Sequence, residues 1–373
     1  MYHNHHWWRF FPKKKLTQIY TSAALRSFAI SLISLFIPLY LYVERGFSLE
    51  QTIYFFIFYA VIFAVSSPLA AKFGARFGAK HAILWSVPFY LLFILGLYLL
   101  PQVRVPLALI SALFGLSQSF YWMGLHLIFS RASDHDHRGE ELGKRDSISV
   151  LATMLGPVIG GLLIKYTGFS LVFSLTALIL FGSALFLFLS KEDKYQYHFT
   201  FRSLMDKRQW RDDLFYTARG MQIIAAGVIW PLFIFMILND YFSLGLTGFI
   251  LSGISAVLIL VIGRLSDHTG KRRIIRWVVG FESLAWILKA FVGTISQVFG
   301  ITIFSAFTGG FMESPIGAIE YDKAKGKVAS YFVNREIFLC LGRILLLVFV
   351  LMMNSLSGGL ILTGLASLLA LLF

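Results

Sequence analysis

Charge is scarce in this sequence of 373 residues, and acidic residues are the scarcer of the two charged types. Only 14% of the residues are charged, whereas 57% are hydrophobic, and the mean hydropathy is +0.74. A water-soluble domain needs more polar surface than this composition supplies. The composition therefore excludes an ordinary soluble domain and indicates a polytopic membrane protein.

The sequence also lacks the patterns that mark common enzymes. It contains no phosphate-binding loop, no nucleophile constellation and no metal-ligand cluster, and its single cysteine, Cys340, can form no intrachain disulfide. Histidines at positions 3, 5 and 6 stand beside Trp7 and Trp8, which is more typical of an interfacial anchor than of a metal site. We therefore predict no enzyme, no metal and no cofactor.

The formal net charge is +14, which raises the possibility of a nucleic-acid partner. The basic residues, however, lie between apolar runs rather than in one patch. Of the 33 Lys and Arg residues, 25 fall in the N-terminal tail and in alternate connections, and the opposite connections hold only Arg45, Arg104 and Lys165. This asymmetry obeys the positive-inside rule. It predicts a multi-pass protein of the cytoplasmic (inner) membrane, with the lipid bilayer as its surroundings, both termini in the cytoplasm and no nucleic-acid partner.

A window of about 20 residues finds twelve apolar spans, each long enough to cross a bilayer. Backbone groups in lipid must be satisfied within each span, so we expect an all-α membrane protein with twelve transmembrane helices. The spans lie approximately at residues 19–43, 50–71, 82–100, 105–130, 147–166, 169–190, 213–238, 243–262, 274–292, 295–319, 328–353 and 355–373.

The chain divides into two halves of six spans. Residues 1–18 form a cytoplasmic tail, and the charge-rich segment 191–212 links the bundle at 19–190 to the bundle at 213–373. An internal repeat supports this division, because Arg26 and Pro38 recur as Arg219 and Pro231 at one offset of 193, which is both 219 minus 26 and 231 minus 38.

The connection between the eighth and ninth spans, residues 263–273, is short, basic and punctuated by glycine. Gly263, Asp267, Gly270 and Arg272 hold key positions in the pattern G-x-L-x-D-x-x-G-[RK]-[RK]-[RK], every position of which is filled. This loop resembles the signature of the major facilitator superfamily of secondary transporters. The resemblance implies two pseudo-symmetric six-helix bundles and a gating role for the loop, whereas Asp267 as a simple helix cap is the alternative.

The first half carries a degenerate copy of this loop between its second and third spans. Gly74, Arg76 and Gly78 are kept, but Ala75 stands where the family has Asp. In the family, that carboxylate latches the loop onto the eleventh helix. The resemblance therefore implies that the cytoplasmic gate is fastened asymmetrically, mainly through Asp267 and the start of the fifth helix.

The fifth span contains the run Gly156-Pro157-Val158-Ile159-Gly160-Gly161. Small residues at helical spacing let helices approach closely, and Pro157 bends the helix. The run resembles the signature of the antiporter branches of the family and favours export by exchange. The fourth span lacks the buried arginine that many proton-coupled exporters carry there.

Charged residues inside the spans are costly and mark candidate functional positions. Arg26 and Arg219 lie on spans that line the central cavity in the family and can bind an anion. We favour the alternative that Arg26 pairs with Asp146 and Arg219 with Glu336. Arg343 lies deeper in the eleventh span, with no partner evident from the sequence.

Glu313 in the tenth span is the best proton-coupling candidate, because a carboxyl group in an apolar cavity can change charge near neutral pH. Glu282 in the ninth span is the second candidate. A partner such as Lys289, on the same face, would instead make Glu282 structural.

Aromatic residues on the spans expected to face the cavity suit a hydrophobic or amphipathic solute. We predict a monomeric secondary transporter that exports such a solute in exchange for protons. An organic-anion or sugar transporter using Arg26 and Arg219 is the alternative, and a non-transporting receptor or assembly protein is the other class. The aromatic cavity candidates are Tyr121, Trp122, Trp230 and Phe311.

Overall fold

In the part of the chain that the structure describes, twelve helices form the bundle, as the hydropathy predicts. The computed structural model describes residues 14–132, 138–188 and 209–373, without the side chains of 14–20, 130–132, 138–149, 260 and 263–269. The helices are α1 (Lys14–Ser34, continued by Ile37–Leu39 and Tyr40–Glu44), α2 (Leu49–Phe77), α3 (Ala79–Leu99), α4 (Leu107–Ala132), α5 (Arg138–Thr167), α6 (Phe169–Phe188), α7 (Trp210–Ile224, continued by Ala225–Ile229 and Trp230–Leu238), α8 (Tyr241–Thr269), α9 (Lys271–Lys289), α10 (Ile295–Lys323), α11 (Val328–Met353) and α12 (Leu356–Ser367, continued by Leu368–Leu372).

Ten of these helices contain an apolar segment long enough to span a membrane. The other two are α9, whose composition is more polar, and α12, whose apolar part is shorter. Several helices continue past the apolar spans, α10 as far as Lys323, because helical hydrogen bonding persists after a helix leaves the hydrocarbon. The predicted all-α fold is confirmed.

Two glycines make the tight turns that the loop resemblance predicts. Gly78 joins α2 to α3 at φ +110°, and Gly270 joins α8 to α9 at φ +90°. A side chain at either position would be strained, because L residues rarely adopt these angles. The two halves therefore share the same turn at matching positions, which agrees with the internal repeat. We call the end of the bundle that carries these two turns the basic end.

The repeated prolines also mark irregular turns in both halves. Pro38 lies just before a π-helical turn at Tyr40–Glu44, and Pro231 lies just after one at Ala225–Ile229. Proline lacks a backbone donor, so the regular hydrogen-bond ladder is interrupted near it. The repeat thus extends from sequence to local geometry.

The two halves, α1–α6 and α7–α12, meet along two seams. Helix α5 packs on α8 along the more extensive seam, and α2 packs on α11 along the other. Smaller contacts join α5 to α10 and α4 to α11. These seams bring charged residues of different halves within reach of one another.

Candidate functional site

The glycine-proline run of α5 lies at the crossing of three helices. A Cβ added at Gly156 or Gly160 would collide with Ser31 or Leu32 of α1, and one at Gly161 would collide with the backbone of Tyr241 in α8. On α8, a Cβ added at Gly245 or Gly248 would likewise collide with Pro157 of α5. The absence of side chains therefore lets α5 touch α1 with one face and α8 of the other half with another.

At the end opposite the basic end, two polar contacts bridge the halves. Lys165 of α5 lies 2.9 Å from Asp240, and the Tyr241 hydroxyl donates to Glu44 at 2.9 Å. Asp240 also caps α8 by accepting from Ser243. Burial opposes ionisation of Asp240, but the hydrogen bonds from Lys165 and Ser243 outweigh it and lower the pKa of Asp240 below its usual value.

At the basic end, a buried histidine bridges the halves. His126 of α4 makes a hydrogen bond through Nδ1 to the hydroxyl of Tyr321 in α10, at 2.9 Å. Its Nε2 lies 3.5 Å from Glu336 of α11, and its ring stacks on Phe332 at 3.9 Å. The halves are therefore in contact at both ends of the bundle.

Glu336 belongs to this contact and not to the pair predicted for it. Arg335 lies 2.5 Å from Glu336 and 3.1 Å from Glu320 of α10, so one guanidinium neutralises two buried carboxylates. The prediction that Glu336 pairs with Arg219 was wrong. Glu336 lies on the side of α11 that meets α4, whereas Arg219 meets α10.

Arg219 pairs with Glu313 across α7 and α10, within the second half. The Arg219 guanidinium also donates to Gln222 at 2.9 Å, and Gln222 donates to Ser367 of α12 at 2.7 Å. The Glu313 side chain is 41% exposed and that of Arg219 is 17% exposed. Glu313 is therefore not the isolated acid that the sequence indicated. It is an ion-paired carboxylate whose side chain is partly exposed.

Arg26 lies in the interior of the first half and is 2% exposed. Its guanidinium carbon lies 4.0 Å from the centre of the Tyr121 ring and 5.6 Å from that of Tyr90. Nη2 approaches Ser117 at 3.5 Å, whereas Nε and Nη1 have no hydrogen-bond partner among the described residues. The predicted partner, Asp146, lies outside the described side chains.

Arg343 is a second buried guanidinium, and it lies on the seam between α2 and α11. It stands 4.9 Å from the ring centre of Phe63 and 5.9 Å from that of Tyr59, both on α2. Its Nη1 contacts Cys340 at 3.4 Å, and its Nε has no partner among the described residues. Aromatic faces stabilise both arginines in part, but neither ring system neutralises the charge.

Glu282 and Lys289 are both buried on α9, where they bind aromatic and hydroxyl groups. Glu282 accepts from Trp286 Nε1 at 2.8 Å and from Thr308, whereas the Lys289 ammonium lies 3.6 Å from the centre of the Trp286 ring. Trp286 thus stands between the two charges. The Lys289 ammonium also faces the Trp230 ring at 5.2 Å, so one contact of Trp230 is with α9 of the same half.

The remaining aromatic candidates occupy different environments. Tyr121 is buried beneath Arg26, and Trp122 is partly exposed and donates to Gln118 at 3.2 Å. The Trp122 ring stacks on His126, so it lies next to the contact at the basic end. Phe311 is partly buried on α10, two residues before Glu313.

Only some residues of the two signature loops, α2–α3 and α8–α9, have described side chains. A Cβ at Gly74 would touch Leu127 of α4 at 3.1 Å. Arg76 and Arg272 are exposed, and Arg76 lies over the ring of Phe77. The side chain of Asp267 and the surroundings of Gly263 lie outside the described residues, so the gating roles predicted for this loop stay predictions.

Sequence reasoning missed three of the groups that join helices. Neither the contact of His126 with the second half nor the pair of Lys165 and Asp240 was predicted. Lys165 and Asp240 both lie next to span ends at the same side of the bundle. That shared location was the only feature of the sequence that indicated their pairing. The contacts of Arg335 with Glu320 had no signal, because helix rotation decides them.

The geometry of twelve helices in two repeated halves agrees with comparisons to known proteins. The family model of the Major Facilitator Superfamily matches residues 19–347. An uncharacterised protein of Bacillus subtilis (strain 168), YqgE, is 24% identical over 351 residues, covering 89% of this chain and 80% of its own length.

Two solved structures share the fold. The human organic anion transporter MFSD10 (TETRAN) is similar with a TM-score of 0.71 at 12% identity, covering 96% of this chain and 99% of its own. A bacterial homologue of the iron transporter ferroportin, in an outward-facing state, is similar with a TM-score of 0.69 at 14% identity, covering 96% and 98%. At these identities the likeness concerns the fold alone.

The fold is therefore that of a multi-pass membrane transporter. The chain belongs to the Major Facilitator Superfamily, whose members are transporters, and membership implies a small-molecule solute.

Proposed function

We propose that this protein is a proton-coupled secondary transporter that exports a small amphipathic solute by alternating access. The ion pair of Arg219 and Glu313 carries the proposal, because it joins two helices and keeps a carboxylate 41% exposed. Protons could not reach a fully buried pair, and a fully exposed pair would contribute little to the stability of the contact between its helices. Protons can reach this pair, and the pair also links α7 to α10.

Protonation of Glu313 changes the contact between α7 and α10. When a proton binds the carboxylate, the negative charge disappears while Arg219 stays charged. The attraction is lost, and Arg219 keeps only its hydrogen bond to Gln222 at 2.9 Å. Binding of a proton thus weakens the contact between α7 and α10 and frees the Arg219 guanidinium. Proton binding can therefore alter solute binding.

The contacts at the two ends supply the gates for alternating access. Opening the basic end requires that His126 leave Tyr321 and Glu336, and opening the other end requires that Lys165 leave Asp240. The close crossing of α5 with α1 and α8 supports a rocking motion about a tightly packed axis. The resemblance of the α5 run to the antiporter signature favours exchange and export.

A second candidate, transport of an organic anion, is favoured by Arg26 and Arg343. Each is a buried guanidinium with an unpartnered nitrogen and no carboxylate within ion-pair distance among the described residues, although Glu336 attracts Arg343 at longer range. A buried cation without a counter-ion is costly, and an anionic solute would compensate it. The similar fold of an organic anion transporter agrees with this candidate but does not identify the solute.

Reconstitution tests both candidates. Purified protein in vesicles is given a panel of amphipathic cations, neutral solutes and organic anions, with and without a pH gradient. We expect Glu313→Gln to abolish pH-driven transport and to leave downhill exchange. The matched control is Glu50→Gln, which neutralises an exposed carboxylate at the start of α2.

The outcomes separate the candidates. Transport that follows the pH gradient and fails in Glu313→Gln supports proton coupling. Transport restricted to anions, with loss of solute binding in Arg26→Gln and Arg343→Gln, supports the second candidate. Absence of transport for every class would favour a receptor or assembly protein, and unchanged pH-driven transport in Glu313→Gln would make Glu313 structural.

A further inference from the structure

A cavity of about 740 Å³ lies at the basic end of the second half. Its volume falls within the range of ligand sites, roughly 300 to 1,000 Å³. None of the residues discussed above as candidate solute or proton sites lines it. Its lining comes from α7, α9, α10, the α10–α11 connection, α11 and α12, and its basic members are Arg211, Arg272, Arg276, Lys323, Lys325 and Lys327.

The lining is strongly basic. Six of its residues are Lys or Arg and one is acidic, and that one, Asp212, is already paired with Lys323 at 2.6 Å. Two neighbouring acids are also occupied, since Asp322 pairs with Lys271 at 2.7 Å and Glu320 pairs with Arg335. In the described part of the chain, the other five basic residues of the lining therefore have no carboxylate within ion-pair distance.

Part of the wall is apolar. Ile275 and Phe373 are buried, and the Phe373 ring stacks on Phe215 at 4.0 Å. The Lys323 ammonium lies 3.7 Å from the centre of the Phe373 ring. A ligand with both an anionic and an apolar part therefore fits this cavity better than a bare ion does.

We propose that this cavity binds a phosphorylated anion through the phosphate oxygens. Arg211, Arg272 and Arg276 are lining residues, and their planar guanidinium groups match phosphate geometry with two parallel N–H donors. Phosphate of this kind occurs in the headgroup of an anionic phospholipid and in soluble phosphoesters. The basic end is the side that loop charge predicts to face the cytoplasm, where headgroups of anionic lipids concentrate.

The ligand would hold together the parts of the second half that surround it. The start of α7, the start of α9 and the connection from α10 to α11 all contribute charges to the cavity. A phosphate that neutralises them removes their mutual repulsion and stiffens this end of the half. The inference is independent of the solute and of proton coupling.

Binding to the purified full chain tests the proposal and distinguishes the two phosphate sources. Native mass spectrometry compares bound phosphatidylglycerol with phosphatidylcholine, and calorimetry measures binding of inorganic pyrophosphate. The test variant is Arg211→Gln with Arg276→Gln. The control is Lys72→Gln with Arg273→Gln, which removes the same charge from exposed positions at the same end but outside the cavity.

We expect the test variant to lose affinity by about tenfold or more, with the control close to the unmodified protein. Thermal stability of each variant shows that it is folded. Preference for phosphatidylglycerol without pyrophosphate binding identifies a lipid site, and pyrophosphate binding identifies a soluble ligand. Equal binding of both lipids with no pyrophosphate binding, or equal losses in test and control, would overturn the proposal.

Discussion

Arg219 of α7 is paired with Glu313 of α10 and not with Glu336 of α11. The two arginines related by the repeat therefore have different surroundings, because Arg26 is packed on aromatic rings and has no acidic partner among the described residues. The halves are similar in backbone and different in charge. As a result of that asymmetry, the partly exposed, ion-paired carboxylate of Glu313 has no described counterpart beside Arg26 in the first half.

A double-mutant cycle on Arg219→Ala and Glu313→Ala measures this pair. Removing one partner leaves the other uncompensated. The sum of the stability losses of the two single variants should therefore exceed the loss of the double variant. We expect a coupling free energy of about 1 kcal/mol or more, measured by thermal unfolding in detergent. The cycle of Arg219→Ala with Glu336→Ala serves as the control and should be additive; additivity in both would contradict the pair.

The close crossing of α5 and α8 predicts opposite effects for two glycine substitutions. Gly161→Ala places a methyl group against the backbone of Tyr241, and we expect it to destabilise the protein by about 1 to 3 kcal/mol. Gly182→Ala on α6 meets nothing within 4 Å. It should be neutral or stabilising by up to about 1 kcal/mol, because alanine favours a helix. Thermal unfolding and folded yield compare them, and equal losses would refute the crossing.

The ion pair between Lys165 and Asp240 should resist mild acid. Because the pKa of Asp240 lies below its usual value, its contribution to stability is present above that usual value and is lost only as pH falls through the lowered pKa. Asp240→Asn keeps a residue that caps a helix but removes the charge. We expect a stability loss of about 0.5 to 1 kcal/mol that is the same at about pH 7.5 and about pH 5.

The measurement is the difference in Tm between the unmodified protein and Asp240→Asn across that range. Glu50→Gln, an exposed carboxylate without a described ion pair, is the control. A difference that already vanishes at about pH 5 would require a pKa of Asp240 above its usual value, and it would contradict the lowered pKa.

Cysteine labelling in intact cells tests the orientation in the membrane. Arg104→Cys and Arg273→Cys introduce thiols at exposed positions on opposite ends of the bundle, in a Cys340→Ala background because Cys340 is buried. The loop asymmetry predicts that an impermeant maleimide labels position 104 directly and position 273 only after permeabilisation. Direct labelling at 273 would reverse the orientation.

The sequence by itself determined the number of helices, their order and the turns at Gly78 and Gly270. These features depend on local physics, since an apolar span in lipid must satisfy its own backbone groups and a left-handed turn favours glycine. The matched positions of Arg26 and Arg219 were likewise visible, because a repeat needs only a constant offset.

Only the tertiary structure decided which charges meet. Depth along a helix can be estimated from sequence, and it made Glu336 a reasonable partner for Arg219. Contact also requires that two helices present the right faces to each other, and this depends on rotation and tilt. Packing at points such as Gly161 against Tyr241 sets those angles for the whole bundle. Arg219 therefore meets Glu313, and His126 joins Glu336 from the other half, because the packed helices turn those faces together.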